Sequence, residues 1–204
     1  PVGSDPTLMY EDSQIRLHLL GTDPAKDPVV FGTDAAHGVD IGHEKIPMLG
    51  LQYGDPRVFG LVVDGVEREI AVYVSTIADM DAGHPAWKKL FDVSDDVIDF
   101  AAQGDDLYVL THKDAPRFKL LKTKVGAPDL EHAVVVIPPG EAVLESLAHA
   151  QDGIYVTYLD AGIEGVKRIA FGSSTAPTDV PLPLRGSVSD MTCDTRLPGI
   201  AMGL

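Results

Sequence analysis

The sequence predicts an all-β fold: a β-propeller segment of about three complete four-stranded blades with a half-blade at each end. Three observations carry this expectation. Short apolar runs alternate with period two, a unit of strand, Asp-containing turn and strand recurs every forty to fifty residues, and helical periodicity is almost lacking.

The recurring unit reads 48-MLGLQYGDPRVFGLVVDG-65, 97-VIDFAAQGDDLYVLTHKD-114, 144-LESLAHAQDGIYVTYLDAG-162 and, more weakly, 188-VSDMTCDTRLPGIAMGL-204. Its turn aspartates, Asp55, Asp105, Asp152 and Asp194, are spaced by 50, 47 and 42 residues. Asp bonds turn amides and Gly supplies positive φ, so these aspartates are expected to shape turns rather than to act as ligands or acids.

Taken in chain order, runs 14–20 and 28–31 form the outer part of an earlier blade, within a half-blade spanning 1–34. The blade at 46–92 adds runs 69–74 and 87–91 to its repeat unit. The blade at 96–138 adds 117–123 and 133–137, and the blade at 143–184 adds 166–171 and 180–184. A half-blade at 187–204 closes the chain. A blade carries apolar side chains on both faces and buries them only against neighbours, which suits the β-branched density of 61–63 and 134–137. The structural rival is a sandwich or an open set of meanders.

The polar insert in 107-LYVLTHKDAPRFKLL-121 is predicted to be the hairpin between the second and third strands of one blade. Pro116 fixes its own φ and extends Ala115, Asp114 serves turn amides, and His112 is a turn residue. Trp87 is expected to cover a blade edge, with Lys88 and Lys89 as edge charges that discourage pairing. Tyr108, Tyr155 and Tyr158 should be packed with bonded hydroxyls. Arg57, Arg68, Arg117 and Arg168 should form weak surface pairs with carboxylates. Met48 is expected in the core, and Cys193 as a small packed strand residue.

The charge of −15, from 31 acidic and 16 basic residues, repels phosphate backbones and anionic lipid. Neither nucleic acid nor membrane is therefore an expected partner. One cysteine excludes an intrachain disulfide, and no apolar run approaches transmembrane length. The chain opens on Pro1 and stops inside a strand-like run, so an excised segment is expected and missing targeting signals carry no meaning.

Chemistry-bearing motifs are not found. The serines in 74-VST-76, 143-VLES-146, 172-GSST-175 and 186-GSVSD-190 do not fit G-x-S-x-G, and nucleotide- and zinc-binding signatures are missing. His37 and His43, with Asp40 between them, form an imaginable metal pair but read better as a loop. The run 79-DMDAGH-84 lacks the alternation of a calcium loop and reads as a surface excursion. The expectation is no catalytic residue, no metal site, no cofactor and no assigned substrate-binding residue.

Several stretches resemble the propeller part of the prolyl oligopeptidase family of serine peptidases. They are 14-QIRLHLLGTDPAKDPVVFG-32, 64-DGVEREIAVYV-74, 104-GDDLYVLTHKDAPRFKLLKT-123, 126-GAPDLEHAVVVIPPGEAVLESLAHAQDGIYVTYLDAG-162 and the looser 180-VPLPLRGSVSD-190. The resemblance implies a two-domain enzyme that cleaves peptides after proline. A separate α/β-hydrolase domain of the parent chain would carry a Ser–Asp–His triad, and the propeller would admit short peptides to it. Some family members place a substrate-contacting arginine after the second strand of a blade; the matching place here holds Asp64 and Gly65. The alternative is a stand-alone protein-interaction propeller. A third reading, a metal-dependent hydrolase site in the tunnel, requires bound metal. The leading and trailing half-blades are expected to pair, within one chain or between two chains as a homodimer.

Overall fold

The computed structural model describes residues 11–33, 39–172 and 176–204. It divides into two units, Pro1–Val93 and Ser94–Leu204, each built of antiparallel sheets.

In the first unit, β1 (Gln14–Arg16) pairs with β2 (Val29–Gly32). A four-stranded meander follows: β3 (Ile46–Leu51), β4 (Arg57–Val63), β5 (Ile70–Thr76) and β6 (Lys88–Phe91), adjacent in that order. Phe31, fully buried, meets Tyr73 edge-on at 5.7 Å and Trp87 at 4.6 Å. Its ring also fills the space above Gly60, where a Cβ would lie 2.6 Å from it. Glycine at that place in β4 is thus what lets the leading pair lie close on the sheet.

The second unit repeats the arrangement twice. β7 (Val97–Gln103), β8 (Asp106–Thr111), β9 (Lys119–Lys124) and β10 (Val134–Ile137) form one sheet. β11 (Val143–Ala150), β12 (Gly153–Asp160), β13 (Ile163–Ala170) and β14 (Thr178–Asp179) form the next, and β15 (Ser189–Thr192) pairs with β16 (Ala201–Gly203). Leu110, Leu120 and Ile137 of one sheet pack on Leu144, Ile154, Val156 and Ile169 of the next. On that second sheet, Ala148, Tyr155 and Val166 join Val188, Met191, Cys193, Ile200 and Met202 of the trailing pair. Fully burying each large aliphatic side chain stabilises by roughly 1.5–3 kcal/mol. The β11–β14 sheet is apolar on both faces because neighbours cover both. The chain is all-β, and its described residues form three four-stranded sheets with a two-stranded pair before and after them, the fold of a β-propeller segment.

The 112–118 insert is a turn. Ala115 N–H donates to His112 (2.9 Å), Phe118 N–H donates to Ala115 (2.7 Å), and Asp114 takes φ +53°. Phe118 is left-handed at φ +66° yet buried, with the His112 ring edge-on at 5.4 Å. An aromatic there is strained, and its burial in the core offsets that strain.

Several expectations need correction. The first strand ends at Arg16 rather than residue 20, because Thr22 turns back onto Leu19 and Asp23 caps a short 3-10 turn at Pro24–Lys26; Leu20 is exposed. Residues 117 and 118 belong to the turn, not to β9. The expected run 180–184 is not a strand: β14 lies just ahead of it at Thr178–Asp179, and Val180 and Leu182 pack toward the trailing pair instead. The surface excursion at 79–84 contains a helix, α1 (Ile77–Asp81), whose cap is Thr76: its hydroxyl accepts from Asp79 N–H (3.1 Å) and donates to the Asp79 carboxylate (2.7 Å). Met48 is 52% exposed rather than in the core. Cys193 lies one residue past β15. Among the described residues, the β1–β2 and β15–β16 pairs are each a two-stranded sheet. Residues 1–10 and 34 of the expected leading half-blade lie outside the described residues.

Candidate functional site

The first strands, β3, β7 and β11, stand at one edge of their sheets and pair on one side only. In the second unit, polar side chains gather where β7 meets β11. Asp99 on β7 accepts from Phe100 N–H at Oδ1 (2.8 Å) and from Leu147 N–H at Oδ2 (2.8 Å), the latter on the neighbouring sheet. Both strands slip register here, between Val97 and Asp99 and between Leu144 and Ser146. Such bulges re-aim side chains. Further along, His149 Nε2 and Gln103 Oε1 are 2.8 Å apart, and the Ser146 and Thr157 hydroxyls are 2.7 Å apart.

The Asp99 residue is only partly covered, but its carboxyl group is enclosed. Burial pushes its pKa up to about 6, opposed by the Leu147 and Phe100 amides. Pairwise sequence motifs gave no hint of this group, because a lone Asp inside an apolar strand carries no local signature.

A groove of about 350 Å³ opens beside the β12–β13 hairpin. Ile163, Val180, Leu182 and Leu184 supply apolar walls, and Asp160 and Arg185 stand at its lining. Tyr158 forms a fixed side: its hydroxyl donates to Asp179 (3.3 Å), Lys167 Nζ lies 4.9 Å from its ring, and Gly165 leaves room for it.

The turn aspartates are structural. Asp55 Oδ1 accepts from Arg57 N–H (2.9 Å) and Nε–H (2.7 Å), and Asp194 Oδ1 does the same with Arg196 (2.8 and 3.0 Å). The shared Asp-x-Arg spacing was a readable signal for this turn. The Asp55–Arg57 pair is mostly covered, unlike the weak surface pair expected, whereas Arg117–Glu141 is exposed. Asp152 takes Arg168 (2.8 Å), the Tyr155 hydroxyl and Gly199 N–H (2.9 Å) of the trailing pair. At the second repeat the carboxylate at work is Asp106, paired with Lys122 and Lys124, while Asp105 offers its carbonyl to Val125. Trp87 precedes β6 and donates Nε1–H to Val30 O (2.7 Å).

Of the imagined metal pair, only His43 lies within the described residues. His43 Nδ1 meets Asp12 at 2.6 Å, and that hydrogen bond raises its pKa; Asp40 accepts from Gly42 N–H. His37 lies outside the described residues, as do residues 173–175 of 172-GSST-175. Among the described residues, no three metal-ligating side chains converge. The Ser75 hydroxyl is buried without a hydrogen-bond partner. Burial raises the Cys193 thiol pKa, which disfavours a thiolate. Asp64, standing where an arginine contact would be sought, is paired with Lys45.

The model of the prolyl oligopeptidase N-terminal β-propeller domain family matches residues 3–203. No curated protein matches the chain. A solved prolyl endopeptidase is 23% identical with a TM-score of 0.72, and the match covers 95% of this chain and 28% of that one. Apo prolyl oligopeptidase B from Galerina marginata is 15% identical with a TM-score of 0.71 (93% and 26% covered). Oligopeptidase B from Trypanosoma brucei with covalently bound antipain is 16% identical with a TM-score of 0.67 (85% and 24% covered). The chain thus spans about a quarter of the length of these solved peptidases.

Proposed function

This chain belongs to the prolyl oligopeptidase N-terminal β-propeller domain family, and from that premise we propose that it is a non-catalytic propeller segment gating short proline-containing peptides. Its partner is an α/β-hydrolase domain of the same parent chain, which performs the cleavage. The observation that carries this reading is the set of polar side chains beside the open first-strand edges: Gln103, Ser146 and His149. First strands with one free side are suited to line a passage. A passage of fixed width admits a flexible peptide and refuses a folded protein on size alone.

The test is a length series of proline-containing peptides, cleaved by the parent enzyme with and without Met48→Trp on β3. The expected result is a size cut-off that moves to shorter peptides in the variant, while this chain alone gives no turnover. An unmoved cut-off would count for an interaction propeller instead, and triad-type turnover by this chain alone would refute the non-catalytic reading.

A further inference from the structure

We propose that Asp99 is a proton-responsive tie between the first strands of two neighbouring sheets: its ionised carboxylate accepts the Leu147 amide across the seam, and protonation weakens that one bond while the carboxyl stays enclosed.

The geometry supplies the mechanism. An ionised carboxylate is acceptor-only and serves two donors at once, one per oxygen. Asp99 does this, with its own strand through Phe100 N–H and with the next sheet through Leu147 N–H. A neutral carboxylic acid places a hydroxyl on one oxygen, and its proton competes with an amide for that oxygen. The register slips at Asp99 and just before Ser146 interrupt the regular ladders beside the tie. The carboxylate therefore sits where ordinary strand pairing is weakest.

Among the described residues, no counter-charge acts on the Asp99 carboxyl. Titratable groups on the surrounding elements are Asp95 and Asp96 ahead of β7, Asp106 and Tyr108 on β8, Glu145 and His149 on β11, and Tyr155, Tyr158 and Asp160 on β12. Arg117, whose carbonyl meets Leu144 N–H, is paired with Glu141. Only burial and the two amides bear on the Asp99 carboxyl, which places its titration in mildly acidic solution. The seam lies between two first strands, so its functional meaning rests on the gating reading: mild acid would change the passage that peptides cross.

The experiment is amide NMR on the intact chain from pH 4.5 to 8. The Leu147 N–H resonance is expected to shift with a midpoint near the Asp99 value of about 6. The shift should vanish in Asp99→Asn and persist in His149→Gln, which removes the imidazole bonded to Gln103 at this junction. A flat Leu147 resonance in the wild-type chain, or a midpoint abolished by His149→Gln, overturns the tie. Should Asp99→Asn fail to fold, the wild-type and His149→Gln titrations still decide. The peptide-length assay run at pH 5 and 7.5 reports on gating separately: a Leu147 shift with an absent cut-off would sink the gating reading and leave the tie standing.

Discussion

Trp87 donates its indole N–H to the carbonyl of Val30 at 2.7 Å, from the loop ahead of β6 to the leading two-stranded sheet. The same ring lies 4.6 Å from Phe31. One side chain thus supplies both the polar and the apolar fastening of that pair. Trp87→Phe keeps an aromatic ring but leaves the Val30 carbonyl without this donor, at a cost of about 1–3 kcal/mol. Denaturant unfolding followed by circular dichroism measures it; an unchanged midpoint contradicts the assignment.

Gly60 should be intolerant of any side chain. A methyl group there would meet the Phe31 ring at 2.6 Å, and such overpacking costs roughly 1–3 kcal/mol. Gly65→Ala, at an open position in the following turn, is the control and should be nearly neutral. Equal effects from the two substitutions would show that Phe31 moves aside freely.

Acid acts on two aspartates in opposite directions. Burial works to raise the Asp152 pKa, but Gly199 N–H, the Tyr155 hydroxyl and Arg168 outweigh it, and the net shift is downward. Its contribution is therefore present above the unfolded value of about 3.9 and is lost as pH falls through the lowered folded pKa. Asp99 is raised from 3.8 to about 6, so its folded form prefers the proton. That preference stabilises most below pH 4 and fades as pH rises through 6, by about 3 kcal/mol over the two-unit shift. Asp99→Asn should flatten stability between pH 4 and 6, and Asp152→Asn should flatten it below pH 4. Chemical denaturation at a series of pH values distinguishes them, and an unaltered slope in either window refutes that assignment.

The outer edges of the sheets are unequally protected. β6 presents Lys88 and Lys89, whereas β10 presents Val134 and Val135, 59% and 52% exposed. An apolar edge strand invites edge-to-edge pairing. Val134→Lys should lower concentration-dependent association in sedimentation, while Lys88→Val should raise it. Indifference to both substitutions would mean that the edges are already too twisted to pair.

Much of the fold was legible because sheet-on-sheet burial writes itself into a sequence. The Asp-turn unit and the apolar runs at 107–111 and 134–137 locate their sheets directly. Ends were less legible: Leu19 and Leu20 look like strand residues, yet a turn overrides them. The helix at Ile77–Asp81 was signalled by Thr76 and Asp79, a capping pair too short to show as periodicity. The Trp87 partner was not legible, because Val30 is 57 residues away. Asp99 was invisible for the same reason, since its partner amide belongs to another sheet.

The stitches at the end of the second unit have a mechanical consequence. Gln151 N–H reaches Leu197 and Gly199 N–H reaches Asp152, so the trailing pair is sewn to the sheet before it, turn to turn. Under load or denaturant, such a strip peels from its free border inward. Hydrogen-exchange protection should accordingly form a gradient, lowest at β16 and rising toward β12, in place of one uniform melting step.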